Sequence, residues 1–259
     1  MTNHEAIKDF WDKQADEHKV NPQATAPDVH YRDLEISRIL PHLMDNGLIL
    51  DIGCGNGYST LKFAEANPNA KFIGADYSRK MIESAIMAQN ATPIRNCSFI
   101  VHDVLKLTGL RTKYDIIVSE RCLINLPTFN DQKSALLEMR RCLNVGGKLI
   151  LVENTREGLV SLNSLRTKLG LSRIEMRWHN QYLPQQDFLK YARLHFTVQT
   201  VDCIGNLYYI LSRVVYAKLC EIEKKEIDYN HPINRIAAQL PSLPAYGWSP
   251  NYLFVMRAI

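Results

Sequence analysis

The sequence contains six cysteines, at positions 54, 97, 122, 142, 203 and 220, but no C-x-x-C pair among them. With no histidines at zinc spacing either, neither a metal site nor a disulfide framework is expected, and the thiols read as reduced. No apolar run approaches the roughly 20 residues that cross a bilayer, so no membrane span is expected. Met1 to Phe10 lacks an apolar signal core and a small-residue cleavage site, which makes the cytoplasm the default location. Long runs of one charge are also missing. The 31 basic and 27 acidic side chains leave a net charge of +4. That balance is too small and too dispersed for a nucleic-acid-binding face, and is only permissive toward an anionic substrate. Internal repeats and low-complexity tracts are absent. What remains is ordinary for a soluble globular chain: 259 residues, 46% hydrophobic and 22% charged, enough for one main domain with a modest insertion.

Apolar and helical segments alternate along the chain. Gly47 to Leu50 leads into Asp51, Lys71 to Ala75 into Asp76, and Ser98 to Val101 into His102 and Asp103. Tyr114 to Ser119 and Lys148 to Glu153 repeat the pattern. Their hydrophobicity is continuous, as in parallel strands covered on both faces. Between them, Ser59 to Asn67, Ser78 to Gln89 and Asp131 to Leu143 read as helices, the last closed by a turn at Val145-Gly146-Gly147. This order predicts an α/β fold, a doubly wound and mostly parallel sheet with helices on both faces. Ahead of it, Glu5 to His18 and Tyr31 to Leu43 read as helices flanking a loop with Pro22 and Pro27. After it come a helix at Leu159 to Leu169, a sixth strand at Thr197 to Cys203, a helical insertion from Tyr208 to Pro244, and a closing strand at Tyr252 to Arg257. The expected division is an N-terminal helical cap over 1–43, a core over 44–207, an insertion over 208–244 and a closing strand over 245–259.

The most specific chemical signal is Asp51-Ile52-Gly53-Cys54-Gly55-Asn56-Gly57, between a buried strand and a helix. Glycine lets backbone turn sharply and approach a ligand closely; a tight turn without a ligand is the plain alternative. A dinucleotide fingerprint would space its glycines G-x-G-x-x-G. Here the third glycine comes one residue early and an acid precedes the first, which suits a cationic cofactor better than an anionic one. A nicotinamide-dependent oxidoreductase is therefore the disfavoured alternative.

The string DIGCGNG, with an acid closing the next strand, resembles the class I S-adenosylmethionine-dependent methyltransferases, and does so from about Leu43 to Glu153. The resemblance implies a seven-stranded sheet ending in a reversed strand, with S-adenosylmethionine as cofactor and S-adenosylhomocysteine as product. It places Gly53, Cys54, Gly55, Asn56 and Gly57 against the methionine and ribose part, and has Asp51 fix the amino end. Asp76 would accept from the ribose hydroxyls, or else cap the helix that starts near Ser78. Asp103 would contact the adenine amino group with Val104 beside it. Tyr77 and Met81 would pack on the base, or serve as core. Glu120, counted with the cofactor-binding residues, lies in the stretch after the fourth strand, Ser119 to Pro127, that lines the transfer site in this superfamily. The Asn/Asp-Pro-Pro-Tyr/Trp signature of nucleic-acid adenine methylation is absent, and Cys122 lacks the Pro-Cys context of a pyrimidine nucleophile. It reads as a small buried hydrophobe.

The implied function is methyl transfer to oxygen or nitrogen of a small-molecule acceptor, a sugar or an anionic metabolite, with no nucleic acid or membrane partner. A non-catalytic cofactor-binding module stays open. Outside the core the layout is similar to methyltransferases of bacterial surface-sugar and secondary-metabolite pathways. The acceptor candidates are Tyr31, Arg32, Arg121, Asn125, Asn163, Arg166, His179, Tyr208 and Arg213. The four arginines fit a carboxylate or phosphate, or ordinary ion pairs. His179 is the first candidate for a general base, with Tyr31 and His30 behind it; a packed histidine beside Trp178 is the plainer reading. The insertion would be a lid, or a contact in a homodimer.

Overall fold

The structure is a computed structural model that describes residues 3–243 and 247–259. Seven strands form one sheet: β1 Gly47–Ile52, β2 Ala70–Asp76, β3 Cys97–Val101, β4 Tyr114–Glu120, β5 Leu143–Asn154, β6 Phe196–Cys203 and β7 Asn251–Ala258, in the order β3-β2-β1-β4-β5-β7-β6. Pairing is parallel from β3 across to β5, while β7 runs antiparallel to both β5 and β6. The expected mostly parallel sheet with one reversed strand is the one observed.

Successive side chains of a strand point to opposite faces, and each face here is covered. Leu50, Ile52, Leu149 and Leu151 enter a core with Ala135, Leu136 and Met139 of helix Phe129–Cys142 and Phe188 of helix Gln185–Ala192. Their neighbours Ile49, Ile150 and Val152 pack on the other side against Ile36 and Ile39 of Val29–Ile39, Phe63 of Tyr58–Ala66, and Ile82 and Ala85 of Arg79–Asn90. Each fully buried side chain of this kind contributes roughly 1.5–3 kcal/mol, so the sheet could not keep these runs exposed on either face.

In chain order the helices are α1 Asn3–His18, α2 Val29–Ile39, α3 Tyr58–Ala66, α4 Arg79–Asn90, α5 Phe129–Cys142, α6 Arg156–Lys168, α7 Gln185–Ala192, α8 Asn206–Tyr209, α9 Tyr216–Glu223 and α10 Pro232–Ala237. Side-chain caps start several of them. Asp28 accepts from Tyr31 N, Ser78 from Met81 N, Thr128 from Asp131 N and Thr155 from Gly158 N.

Some boundaries differ from the sequence expectation. The second helix gives way at Leu40–His42 to a 3₁₀ turn carrying Pro41, since proline removes a donor. The turn expected at Val145 to Gly147 lies inside β5, because Leu143 already pairs with Tyr114 across an irregularity in the ladder. The late helical segment begins two residues early, at Asn206, and includes a π-helical turn at Ile210–Val215. The expected junction between insertion and closing strand, at Pro244 and the following residue, lies outside the described residues. No helix among the described residues is long and apolar enough to cross a membrane.

Gly57 opens α3 with φ +77, and a Cβ there would stand 2.8 Å from Phe99 Cζ and 2.9 Å from Ala85 Cβ. Gly57→Ala therefore combines left-handed strain with overpacking and is expected to lower folding stability by about 1–3 kcal/mol. Urea denaturation measures this, and an unchanged midpoint would contradict it.

Candidate active site

The carboxyl ends of β1 and β2 meet through backbone. Gly53 N and Cys54 N donate to Ala75 O, at 2.8 and 3.1 Å. Asp76 then holds the loop from the far side: Oδ2 accepts from Gly55 N at 3.0 Å and Oδ1 from Ser78 N at 2.9 Å. Ser78, not Asp76, caps α4. A carboxylate offers about four lone-pair sites, and these two bonds leave Asp76 capacity toward the cavity it lines. Burial pushes Asp76 up to about 6, against the pull of the two backbone donors.

Asp51 is buried beneath the loop and accepts from Thr60 Oγ1 at 2.5 Å. Burial, and then the charge of Glu120, push Asp51 up to about 7, while the Thr60 bond and Arg32 act against them. Arg32 donates to Ser59 Oγ at 3.2 and 3.3 Å, leaving Nη1 without a partner. Glu120 Oε2 is likewise buried and unpartnered. Buried polar atoms in this state are costly unless a ligand completes them.

Above these residues lies a cavity of about 600 Å³. Its wall on the β1–β3 side includes Gly53, Gly55, Asp76, Tyr77, Met81, Asp103 and Val104. Asp103 Oδ1 accepts from Leu105 N at 2.9 Å. Met81 also packs with Trp11, Ala15 and Ala24 of the N-terminal segment. Ile7, Lys8 and Trp11 of α1 close this side. The other loop residues stay behind the wall. The Cys54 thiol faces Gly55 O and is raised by burial. Asn56 Nδ2 donates to Lys19 O and Asn21 O, at 3.1 and 2.8 Å, tying the loop to the end of α1.

Beyond β4 and β5 the wall includes Tyr31, Arg32, Glu120, Arg121, Asn125, His179 and Arg213. Arg121 leaves β4 with φ +53, a conformation disfavoured for a side chain of its size. One of its Nη atoms lies 3.2 Å from Glu35 Oε2, and Asn125 Nδ2 donates to its carbonyl at 2.7 Å. Glu35 is fully buried; burial pushes it up to about 7 despite Arg121. Glu153 fixes this loop from below, accepting from Leu123 N at 2.7 Å and Ile124 N at 3.3 Å. Burial takes Glu153 up to about 8.

His179 is buried in an aromatic cage, stacked on Phe10 at 4.3 Å with Trp11 and Trp178 edge-on. Its Nδ1 has no partner. Burial, then the charge of Arg177, push it down to about 4, so it is neutral at pH 7 and a weak proton acceptor. Tyr31 donates to Ile204 O at 3.4 Å, and burial raises its hydroxyl well above the usual phenol range.

Three of the acceptor candidates stand outside the cavity wall, as Asp51 does among the cofactor candidates. Asn163 binds Ile174 N and O at 2.8 and 3.0 Å. Arg166 donates to Ser172 O at 2.9 Å and to Arg213 O. Tyr208 donates to Asp28 Oδ1 at 2.6 Å. These are backbone clamps and a buried hydroxyl pair, and His30 is also outside the wall. The wall gains residues that were not singled out: Trp11, Tyr182, Tyr209 and Tyr229, with Glu35 and Glu153 behind. Faint signals existed. Ile7, Trp11 and Ala15 share one helical face, Glu35 interrupts the apolar stripe Tyr31-Leu34-Ile39, and Glu153 follows the apolar run Leu149 to Val152.

Residues 43–169 match a family described as a methyltransferase domain. A malonyl-[acyl-carrier protein] O-methyltransferase of Bacillus anthracis is 26% identical over 82% of this chain and 72% of its own length. An uncharacterized methyltransferase of Schizosaccharomyces pombe is 30% identical over 42% of this chain, which spans only 40% of that relative. In fold, the chain is similar to one in the complex between the Haloferax volcanii Trm112 methyltransferase activator and the putative methyltransferase, with a TM-score of 0.64 at 17% identity over 96% of this chain and 97% of that one. It is also similar to the N-methyltransferase NodS of Bradyrhizobium japonicum in complex with S-adenosyl-l-homocysteine, with a TM-score of 0.56 at 14% identity over 96% and 98%.

The buried carboxyls give the ligand-free protein a definite pH dependence. Asp51, Asp76, Glu35 and Glu153 hold protons in the folded state up to about 7, 6, 7 and 8, against 3.8 or 4.5 ordinarily. The stability this contributes is complete below the ordinary values and is lost as pH rises through the folded ones. His179, lowered from 6.5 to about 4, acts in the opposite sense below 6.5, but one imidazole is outweighed by four carboxyls. The melting temperature of the ligand-free protein is expected to fall as pH rises from about 5 to about 8. A flat or rising profile in calorimetry would show that these groups ionise normally.

Proposed function

We propose that this chain, whose residues 43–169 match a methyltransferase domain, is an S-adenosylmethionine-dependent methyltransferase and that it methylates an oxygen or nitrogen of a small-molecule acceptor enclosed beside the cofactor. The observation that carries this reading is the cavity itself. At about 600 Å³ it has the size of a small-ligand site. Residues of α1 and of the late insertion cover it, where a polymer substrate would need an open groove.

The cavity suits the cofactor on chemical grounds. Gly53 and Gly55 present no side chain to it, Asp76 retains acceptor capacity, and Glu120 Oε2 is buried without a hydrogen-bond partner. Asp76 would accept from the ribose hydroxyls, Asp103 from the adenine amino group, and Asp51 and Glu120 would face the ammonium end. Tyr77, Met81 and Val104 would pack on the base. Cys54, Asn56 and Gly57 shape the loop from behind. When bound, S-adenosylmethionine supplies a methyl group activated by a sulfonium.

The remaining task of the protein is to orient the acceptor in line and exclude water. Arg121, Asn125 and Arg213 are the acceptor contacts we retain. His179 is assigned as a neutral hydrogen-bond acceptor that orients the nucleophile's proton, and Tyr31 as a support for the insertion. Residues 1–43 and 208–244 act as the covers, with 44–207 and 245–259 as the core.

Incubation with a small-metabolite extract and methyl-labelled S-adenosylmethionine is expected to put label in a low-molecular-weight product chromatographically distinct from the donor and absent without the protein; label only in RNA or protein would overturn the proposal. In titration calorimetry, Asp76→Asn is expected to weaken S-adenosylhomocysteine binding at least about tenfold, as hydrogen bonds to a charged group contribute about 1.5–3 kcal/mol. Unchanged affinity would remove Asp76 from the cofactor site.

A further inference from the structure

The two halves of the cavity wall differ in charge. The half at the ends of β1 to β3 carries Asp76 and Asp103, with Asp51 beneath it and Lys8 and Lys106 also in the wall, whereas the half beyond β4 and β5 carries Arg32, Arg121, Arg177 and Arg213 against Glu120. Arg121 is opposed by Glu35, whose carboxyl is buried behind it. Arg213 is opposed by Asp28, which binds its Nη2. Arg177 is exposed at the rim.

Arg213 is held more tightly than a surface arginine would be. It sits in the π-helical turn Ile210–Val215, a distortion common at functional sites. Its guanidinium lies over the Tyr229 ring at 4.7 Å, with the rings of Tyr209 and Tyr208 at 5.7 and 5.9 Å. Asp28 is itself fixed by Tyr31 N at 3.1 Å and Tyr208 Oη at 2.6 Å. The side chain is only 14% exposed. Nη2 is satisfied while Nη1 is buried without a partner, on a residue that lines the cavity. A buried guanidinium edge that stays open is costly unless an oxygen ligand meets it.

We infer that the methyl acceptor carries an oxyanion, a carboxylate or a phosphate, and that Arg213 is the residue that anchors it through Nη1. The inference rests on the reading that the β4–β5 half of the cavity is the acceptor side. Arg213 contributes recognition, as an anchor at the wall; on the acidic half Lys8 is paired with Asp12 and Lys106 is exposed, and Arg32, whose Nη1 is also open, already lies in the field of Glu120 and Asp51. The Asp28 pair keeps the guanidinium from swinging out and tempers its charge, so the anion is bound for turnover rather than trapped.

The test uses the full chain saturated with S-adenosylhomocysteine, titrated with succinate and, separately, with inorganic phosphate. Saturation by S-adenosylhomocysteine must be seen first, and its absence would defeat the cofactor and acceptor reading itself. Binding of one or both probes is expected, and the probe that binds tells carboxylate from phosphate. Arg213→Lys, which keeps the charge but loses the planar fork, is expected to weaken probe binding about tenfold or more with S-adenosylhomocysteine affinity unchanged. Asp28→Asn is expected to strengthen it several-fold by releasing the guanidinium from its counter-charge, a gain that misfolding cannot imitate. Failure of both probes to bind the loaded wild-type protein, equal binding by Arg213→Lys, or no gain in Asp28→Asn would each overturn the assignment.

Discussion

The mouth of the sheet is organised by one carboxylate. Asp76 accepts from Gly55 N and from Ser78 N, joining the loop after β1 to the turn after β2. A side chain at position 53 or 55 would enter this space: a Cβ on Gly53 would lie 2.6 Å from Cys122 Cβ, and one on Gly55 2.6 Å from Thr25 Cγ2. The loop must therefore be bare for three elements to converge, the glycine turn, the stretch after β4 and the N-terminal segment. Burial raises Asp76, and hydroxyl donors arriving from a ligand would favour its charged form.

Asp28 plays the corresponding part at the cover. It caps α2 through Tyr31 N, receives the Tyr208 hydroxyl, and pairs with Arg213. The N-terminal segment and the late insertion, far apart in sequence, are joined through one buried carboxylate. Arg166 adds a second tie by bonding the carbonyl of Arg213. An ion pair buried this way gains less net energy than its short contacts suggest, because both charges lose water. Its effect is geometric: it sets which edge of the guanidinium faces the cavity.

Legibility in the sequence followed the kind of force involved. Hydrophobic runs and alternation reveal strands and faces because burial acts on many residues at once, so Leu50 and Ile49 fall on opposite cores as the pattern requires. The loop Asp51 to Gly57 was legible because backbone conformation leaves few residue choices. The cover was not legible to the same degree. Arginine, asparagine and tyrosine serve equally for ligands and for backbone clamps, and nothing local distinguishes Arg213, with its open edge, from Arg166, whose guanidinium is spent on carbonyls. The sequence says little of the roles of Glu35 and Glu153, because their partners, Arg121 and the amides of Leu123 and Ile124, lie 86, 30 and 29 positions away.

The state of His179 bears on the chemistry. An imidazole caged by Phe10, Trp11 and Trp178 and lowered to about 4 holds a proton poorly at neutral pH, and Tyr31 keeps its own proton directed at Ile204 O. Neither is placed to take a proton from a hydroxyl as a titrating base near pH 7. A nucleophile that reaches the cavity already unprotonated needs no such base, and the wall then has only to align it and keep water out. A neutral His179 with Nδ1 open and arginines paired with Asp28 and Glu35 would make a wall of that kind, one that directs hydrogen bonds without exchanging protons.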